Sequence, residues 1–126
     1  MRKSGLVILL LISSIVYGQN SETIGLLNYD FRSSDGFNLL TPLFYNEAYL
    51  INNCGENVHS WKLNFRPGPS YVMPNGNLIY GGWDSETQFK AGGVGGYLEC
   101  LDWDSNVLWS IKISDENEAL HHDFFV

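Results

Sequence analysis

The sequence is poor in positive charge, with seven Lys and Arg against fourteen Asp and Glu and a formal net charge of −7. Nucleic-acid binding needs clustered cations that displace counterions from phosphates, so this acidic balance argues against it. Two cysteines are too few to scaffold a disulfide-stabilised miniprotein. A long run of Ala, Leu, Glu and Lys is also missing. With thirteen glycines and 14% aromatic residues, the composition favours β-structure with many turns.

The beginning of the chain is typical of an export signal. A positively charged start is followed by an apolar run at residues 6–12, and the small residue Gly18 suits cleavage before Gln19. The apolar run is shorter than the roughly 20 residues that a membrane span needs. We therefore expect residues 1–18 to be removed as a signal peptide, and residues 19–126 to form one periplasmic or secreted domain without membrane attachment.

Short apolar segments alternate with turn signals along the rest of the chain, which predicts antiparallel hairpins. The expected strands are residues 37–44, 48–51, 58–63, 70–73, 77–80, 97–101, 107–113 and 123–126. The prolines and glycine at 67–69 are expected to break the pattern, and Asn75-Gly76 favours a tight turn with positive φ. The acidic connection at 115–119 is compatible with one helical turn.

A weak internal repeat accompanies these strands. Asn57-Val58 recurs as Asn106-Val107, an offset of 49 residues, and in each copy a hairpin is followed by a linker and a further strand. Four short strands in about 40–50 residues are typical of a β-propeller blade, and closing a ring takes at least four blades, or about 160 residues. The pattern predicts an incomplete, all-β propeller at the front of a longer protein, with a small β-sandwich as the alternative.

Taken in order, several segments resemble the start of the bacterial arylsulfotransferase family. The matching segments are Thr23-Ile24-Gly25-Leu26-Leu27, Asp35-Gly36-Phe37-Asn38-Leu39-Leu40, Tyr49-Leu50-Ile51 with Val58-His59-Ser60-Trp61, Met73-Pro74-Asn75-Gly76-Asn77-Leu78, Leu101-Asp102-Trp103 with Asn106-Val107-Leu108-Trp109, and His121-His122-Asp123-Phe124. The resemblance implies a secreted propeller of about six blades, of which residues 19–126 would form roughly the first two.

The resemblance also implies an activity for the intact protein. Members of the family transfer a sulfuryl group from a phenolic sulfate ester to a phenol through a histidine intermediate, without a nucleotide sulfate donor, a cofactor or a metal. The motif assigns a helper role in stabilising the sulfuryl group to His121 or His122, which the sequence does not separate, and Asp123 would orient a ring. The nucleophilic histidine and the arginine of the family have no counterpart here, so the chain alone is expected to be inactive.

On a strand, neighbouring residues face opposite ways, so one of His121 and His122 is expected to line the channel while the other packs within the blade. His59 lies in an ordinary hairpin strand and is expected to be structural. A disulfide between Cys54 and Cys100 stays open, as does the oligomeric state. A non-catalytic secreted propeller or sandwich that binds glycans or proteins is the alternative function.

Overall fold

The computed structural model describes residues 28–89, 92–93 and 95–126, so the expected signal peptide at 1–18 lies outside the described residues. The described residues form seven β-strands and no helix. The strands are β1 (Phe37–Leu40), β2 (Glu47–Asn52), β3 (Asn57–Lys62), β4 (Pro67–Val72), β5 (Leu78–Gly82), β6 (Tyr97–Leu101) and β7 (Val107–Lys112). Over the same residues, no helix is long and apolar enough to cross a membrane.

The strands form two antiparallel sheets in which sequence neighbours pair. The first sheet has the order β1-β2-β3, and the second sheet has the order β4-β5-β6-β7. The predicted all-β class with antiparallel hairpins is therefore confirmed, and seven of the eight expected strands overlap an observed one.

Two local predictions after β7 were wrong. Residues 115–119 form no helical turn, because the Asp115 N–H donates to the carbonyl of Glu118, in the direction opposite to the hydrogen bond of a helical turn. Residues 123–126 form no strand: His122 adopts a left-handed backbone conformation (φ 62°) and the Asp123 N–H bonds back to the carbonyl of His121. The left-handed residue interrupts the extended backbone at His122, and residues 123–126 pair with no strand of the described residues.

The predicted break at residues 67–69 was also wrong, since these residues begin β4. Pro67 pairs with Gly82, and the register then shifts before Ser70 pairs with Tyr80. β4 is an edge strand of the second sheet, so no strand pairs with one of its sides. Proline, which has no backbone N–H, is tolerated there because no partner strand needs that donor. The irregular register accommodates the two prolines without interrupting the sheet.

The internal repeat is a repeated hairpin, with an offset of 50 residues rather than the expected 49. Ala48 pairs with Trp61 in the first sheet, and Leu98 pairs with Ile111 in the second. Both hairpins shift register at the equivalent point, after Leu50 and after Cys100. The two asparagines that suggested 49 residues are not counterparts, because Asn57 begins β3 whereas Asn106 belongs to the turn before β7.

The core lies between the two sheets. The first sheet contributes Ala48 and Trp61, and Leu63 follows directly after β3. The second sheet contributes Leu78, Tyr80 and Leu101. The buried Trp61 indole donates its N–H to the carbonyl of Asp102 at 3.1 Å, which satisfies its one polar atom. The His59 ring stacks on Trp103 at a centroid distance of 3.7 Å, so His59 packs between the sheets.

Neither cysteine forms a disulfide. Cys54 is exposed in the turn after β2, whereas Cys100 is buried in β6. Burial raises the pKa of the Cys100 thiol, which disfavours its reactive thiolate form. The bridge that the sequence left open is therefore not formed.

Candidate functional site: a cleft with cationic and aromatic walls

A cleft of about 580 Å³ opens where β4 begins and β5 ends. Antiparallel pairing brings the residue before β4 next to the residue after β5, and the Trp83 N–H donates to the carbonyl of Arg66 at 2.9 Å. The loop between β1 and β2 contributes Phe44, and the segment after β7 contributes Leu120 and His122. The glycine loop that precedes β6 lines the cleft as well, so five separate stretches of the chain converge on one concave surface.

Arg66 is held in place by two aromatic rings. Its guanidinium carbon lies 4.5 Å from the centroid of the Trp83 ring and 5.5 Å from that of Phe44. Its Nε donates to the carbonyl of Leu43 at 3.4 Å. Cation–π contact and this hydrogen bond orient the planar group, and an arginine that uses Nε in this way keeps its terminal N–H donors for a ligand.

Three glycines form the floor of the cleft. Gly68, Gly81 and Gly82 line it without side chains, and a Cβ on Gly82 would approach the Cβ of Phe65 to 2.7 Å. Since Phe65 is itself stacked on Tyr97 at 4.0 Å between centroids, it has little room to yield. The packing of Phe65 therefore requires glycine at position 82.

His122 is positioned by the glycine loop that precedes β6. Its backbone N–H donates to the carbonyl of Gly93 at 2.8 Å, and the Gly95 N–H donates to the carbonyl of Leu120 at 2.7 Å. A Cβ on Gly93 would lie 2.4 Å from Nε2 of His122, so the imidazole lies directly over that glycine. The ring is thereby held at the wall of the cleft.

The two adjacent histidines do not face opposite ways, so that sequence prediction was wrong. Their Nδ1 atoms are 2.8 Å apart, and their rings meet edge to face with centroids 4.1 Å apart. The left-handed backbone at His122 turns its side chain toward that of His121, which a regular strand would not do. His122 lines the cleft, whereas His121 is not among the described residues that line it.

Asp123, expected to orient a ring, has other partners. Its Oδ1 accepts the phenolic O–H of Tyr71 at 2.9 Å and the backbone N–H of Phe124 at 2.8 Å. The hydrogen bond that Tyr71 donates to Asp123, followed by burial, raises the pKa of Tyr71. Within the described residues, Asp123 ties the end of the chain to β4 and shows no hydrogen bond to either imidazole.

The charge of the cleft differs from that of the chain. Arg66 and His122 are the ionisable side chains among its described lining residues, and no carboxylate is among them. The carboxylate of Asp84, the residue after Trp83, already has partners: it accepts the Ser114 hydroxyl at 2.7 Å and pairs with Lys112 at 3.0 Å. In an acidic protein, a cleft walled in this way favours an anion locally.

The sequence did not identify Arg66, Phe44 and Trp83 as site residues. The available signal was the pairing of β4 with β5: Arg66 precedes the Pro-Gly-Pro stretch, and Trp83 follows two glycines. An antiparallel hairpin brings such flanking positions together. Phe44 arrives through contact between the two sheets, for which the sequence offers no local signal.

Comparisons of the chain with models of protein families, with curated proteins and with solved structures returned no match.

Proposed function

We propose that this chain is the amino-terminal part of an exported aryl-sulfate sulfotransferase whose two sheets are the first blades of a β-propeller. Two features support the propeller. Each sheet is a simple up-and-down meander, and the hairpins β2–β3 and β6–β7 repeat with an offset of 50 residues. Small antiparallel sheets that recur at a period of about 40–50 residues are typical of propeller blades.

The observation that supports the activity is the composition of the cleft. An aryl sulfate combines a flat apolar ring with a monoanionic group. Trp83 and Phe44 offer aromatic surface, Arg66 offers N–H donors and positive charge, and His122 offers a ring N–H donor. The absence of a carboxylate among the described lining residues removes the group that would repel the sulfate most strongly.

In the proposed reaction, a histidine outside this chain attacks the sulfur through a ring-nitrogen lone pair. The bond from sulfur to the aryl oxygen breaks, and its electron pair leaves with the phenolate, which takes up a proton. The oxygen of a second phenol then attacks the sulfohistidine, loses its proton, and the nitrogen–sulfur bond breaks, which returns the nucleophile. His122 donates a hydrogen bond to the sulfuryl oxygens, whose negative charge grows in the transition state.

Binding tests the cleft on the chain itself. We expect calorimetric titration to show that 4-methylphenyl sulfate binds more tightly than neutral 4-methylphenol. Arg66→Gln and His122→Ala should each weaken sulfate-ester binding about tenfold, the ordinary effect of losing one charged hydrogen bond. His59→Ala, which deletes an imidazole outside the cleft, is the matched control and should leave the affinity unchanged.

Activity tests the reaction on the intact protein, with 4-nitrophenyl sulfate as donor and phenol as acceptor. We expect phenol-dependent release of nitrophenolate, reduced about 10²–10³-fold in kcat by His122→Ala. Failure to release nitrophenolate in the presence of phenol would contradict the proposed transfer. Equal binding of the sulfate ester and the free phenol would instead favour a binding module without sulfur chemistry.

A further inference from the structure

The second sheet has one face that is only partly covered. In β6, Tyr97 and Glu99 point toward the first sheet, where Tyr97 stacks on Phe65 and Glu99 binds Asn64. Because side chains alternate along a strand, Leu98 and Cys100 lie on the opposite face. We call that opposite face the outer face of the second sheet.

Apolar side chains make up the exposed part of this outer face. Leu98 pairs with Ile111 and Cys100 pairs with Trp109, so these four residues share it. The segment after β7 covers the part near β5, where a Cβ on Gly81 would touch Leu120. Ile111 remains 53% exposed and Trp109 38% exposed. A cluster of large apolar side chains left in water is typical of an interaction surface.

The repeat indicates which kind of surface fits here. With the offset of 50 residues, Leu98 and Ile111 are the counterparts of Ala48 and Trp61 in the first sheet. Ala48 and Trp61 are completely buried, because the second sheet packs on them. The first sheet uses this face to pack against the second sheet. By the repeat, the outer face of the second sheet is the corresponding packing face.

The complementary surface also has a repeat equivalent within the chain. The face of the second sheet that covers the first includes Leu101, Ser110 and Lys112, whose counterparts at the offset of 50 are Ile51, Ser60 and Lys62. These counterparts lie on the side of the first sheet away from the second, together with Tyr49 and Leu40. We call this side the outer face of the first sheet.

The turns that take part in the contact between the sheets are equivalent too. Trp61 and the Lys62 N–H bind the turn after β6 through Asp102 and Ser105. The turn after β2 has the same construction: Asn52 Oδ1 accepts backbone N–H groups two and four residues later, as Asp102 Oδ1 does. The outer face of the first sheet thus ends in a turn of the type that caps Trp61.

We propose that the outer face of the second sheet in one copy of this chain binds the outer face of the first sheet in another copy. The contact would continue, between copies, the packing that the two sheets already make within one copy. Because the two surfaces differ, the association is head to tail, and such contacts build rings when the rotation closes and filaments when it does not. In the enzyme proposed above, a further blade would occupy the same surface.

The two surfaces can be disabled separately in the purified chain. Ile111→Lys places a charge on the outer face of the second sheet, and Leu40→Lys places one on the outer face of the first. Both positions are about half exposed, so the fold should tolerate lysine, which circular dichroism checks. Phe31→Lys makes the same change at a position 83% exposed and outside both faces, as a matched control.

Sedimentation velocity should show that the mass of the unaltered chain and of Phe31→Lys rises with concentration. Each face variant alone should remain monomeric, because every copy lacks one of the two surfaces. An equimolar mixture of Ile111→Lys and Leu40→Lys should form a dimer and nothing larger, since one intact pair of surfaces remains. A monomeric unaltered chain at all concentrations, association that survives either variant, or a mixture that stays monomeric would overturn the proposal. None of these measurements depends on sulfuryl transfer.

Discussion

At the scale of single residues, the buried carboxylate Glu99 is the most demanding group of the core. It is 2% exposed and accepts the Tyr80 hydroxyl at 2.5 Å and the Asn64 amide at 3.1 Å. The Tyr80 oxygen in turn accepts the backbone N–H of Asn64 at 3.1 Å. A buried polar group is costly unless hydrogen bonds satisfy it, so this network ties the two sheets to a specific arrangement.

Removing the Tyr80 hydroxyl tests this network. Tyr80→Phe should lower the free energy of unfolding by about 2 kcal/mol, because Glu99 keeps only its amide partner. The matched control is Tyr71→Phe, whose hydroxyl binds the exposed Asp123 and whose loss should cost less than about 1 kcal/mol. Urea denaturation at pH 8 measures both. Equal losses for the two variants would show that burial adds nothing to the Tyr80 hydrogen bond.

The pH dependence of the same variant follows from the pKa of Tyr80, which burial and then the hydrogen bond to Glu99 raise. Above about pH 10 the unfolded tyrosine ionises while the folded one stays protonated. The stabilisation by Tyr80 is therefore complete below pH 10 and is lost as the pH rises. The difference in stability between the unaltered chain and Tyr80→Phe should shrink as the pH rises above about 10.

At the scale of elements, the hairpin turns explain why the same strand pair occurs twice. Asp102 Oδ1 accepts the N–H groups of Asp104 and Asn106 at 2.9 and 2.8 Å. The Asn106 side chain adds a further hydrogen bond to Asp102, and together these bonds hold the pKa of Asp102 below its usual value. Asn52 makes the equivalent backbone contacts in the first hairpin. A short polar side chain at this position accepts backbone N–H groups of the turn that have no partner in the strand ladder.

The two turns differ in one respect that can be measured. The turn at Asp102 also contacts the first sheet through Trp61, whereas the turn at Asn52 has no equivalent partner among the described residues. Asp102→Ala should therefore cost about 2 kcal/mol and Asn52→Ala about 1 kcal/mol. Chemical denaturation of the two variants makes the comparison directly. A larger loss for Asn52→Ala would contradict the role of the second turn in sheet packing.

At the scale of the whole molecule, stability depends on the contact between the two sheets. Each sheet is a narrow meander that cannot bury both of its faces, and the core forms only where they meet. Trp61 is the largest completely buried side chain and belongs to the repeat. The molecule should therefore unfold as one cooperative unit, since neither sheet has a core of its own.

Truncation of two tryptophans tests this dependence. Trp61→Ala should lower the free energy of unfolding by about 3–5 kcal/mol, the usual cost of a large cavity. Trp109→Ala, at an exposed position of the equivalent hairpin, should cost less than about 1 kcal/mol in the monomer. Should Trp61→Ala fail to fold, Trp61→Phe provides a smaller cavity for the same measurement. A cost for Trp109→Ala similar to that for Trp61→Ala would contradict a single core between the sheets.

Strand positions could be predicted from the sequence because alternation and turn residues are local properties. β6 was predicted with its observed bounds, and the other strands were displaced by one to four residues at an end. The errors occurred where contacts with residues distant in the sequence determine the local conformation. Pro67 joins an edge strand, and the backbone of His122 is turned by its bond to the glycine loop. Neither partner is near in sequence.

By itself the sequence determined the all-β class, the hairpins and the presence of a repeat, since each depends on side-chain alternation and turn chemistry over a few residues. Only the tertiary structure decided which residues meet. It placed Arg66 between two aromatic rings, brought His122 to the same cleft, and left Ile111 exposed while burying its counterpart Trp61. The physical reason is that packing between the sheets depends on the β-bulges of the two hairpins, on the strand register and on where separate chain segments cross. Local propensity encodes none of these.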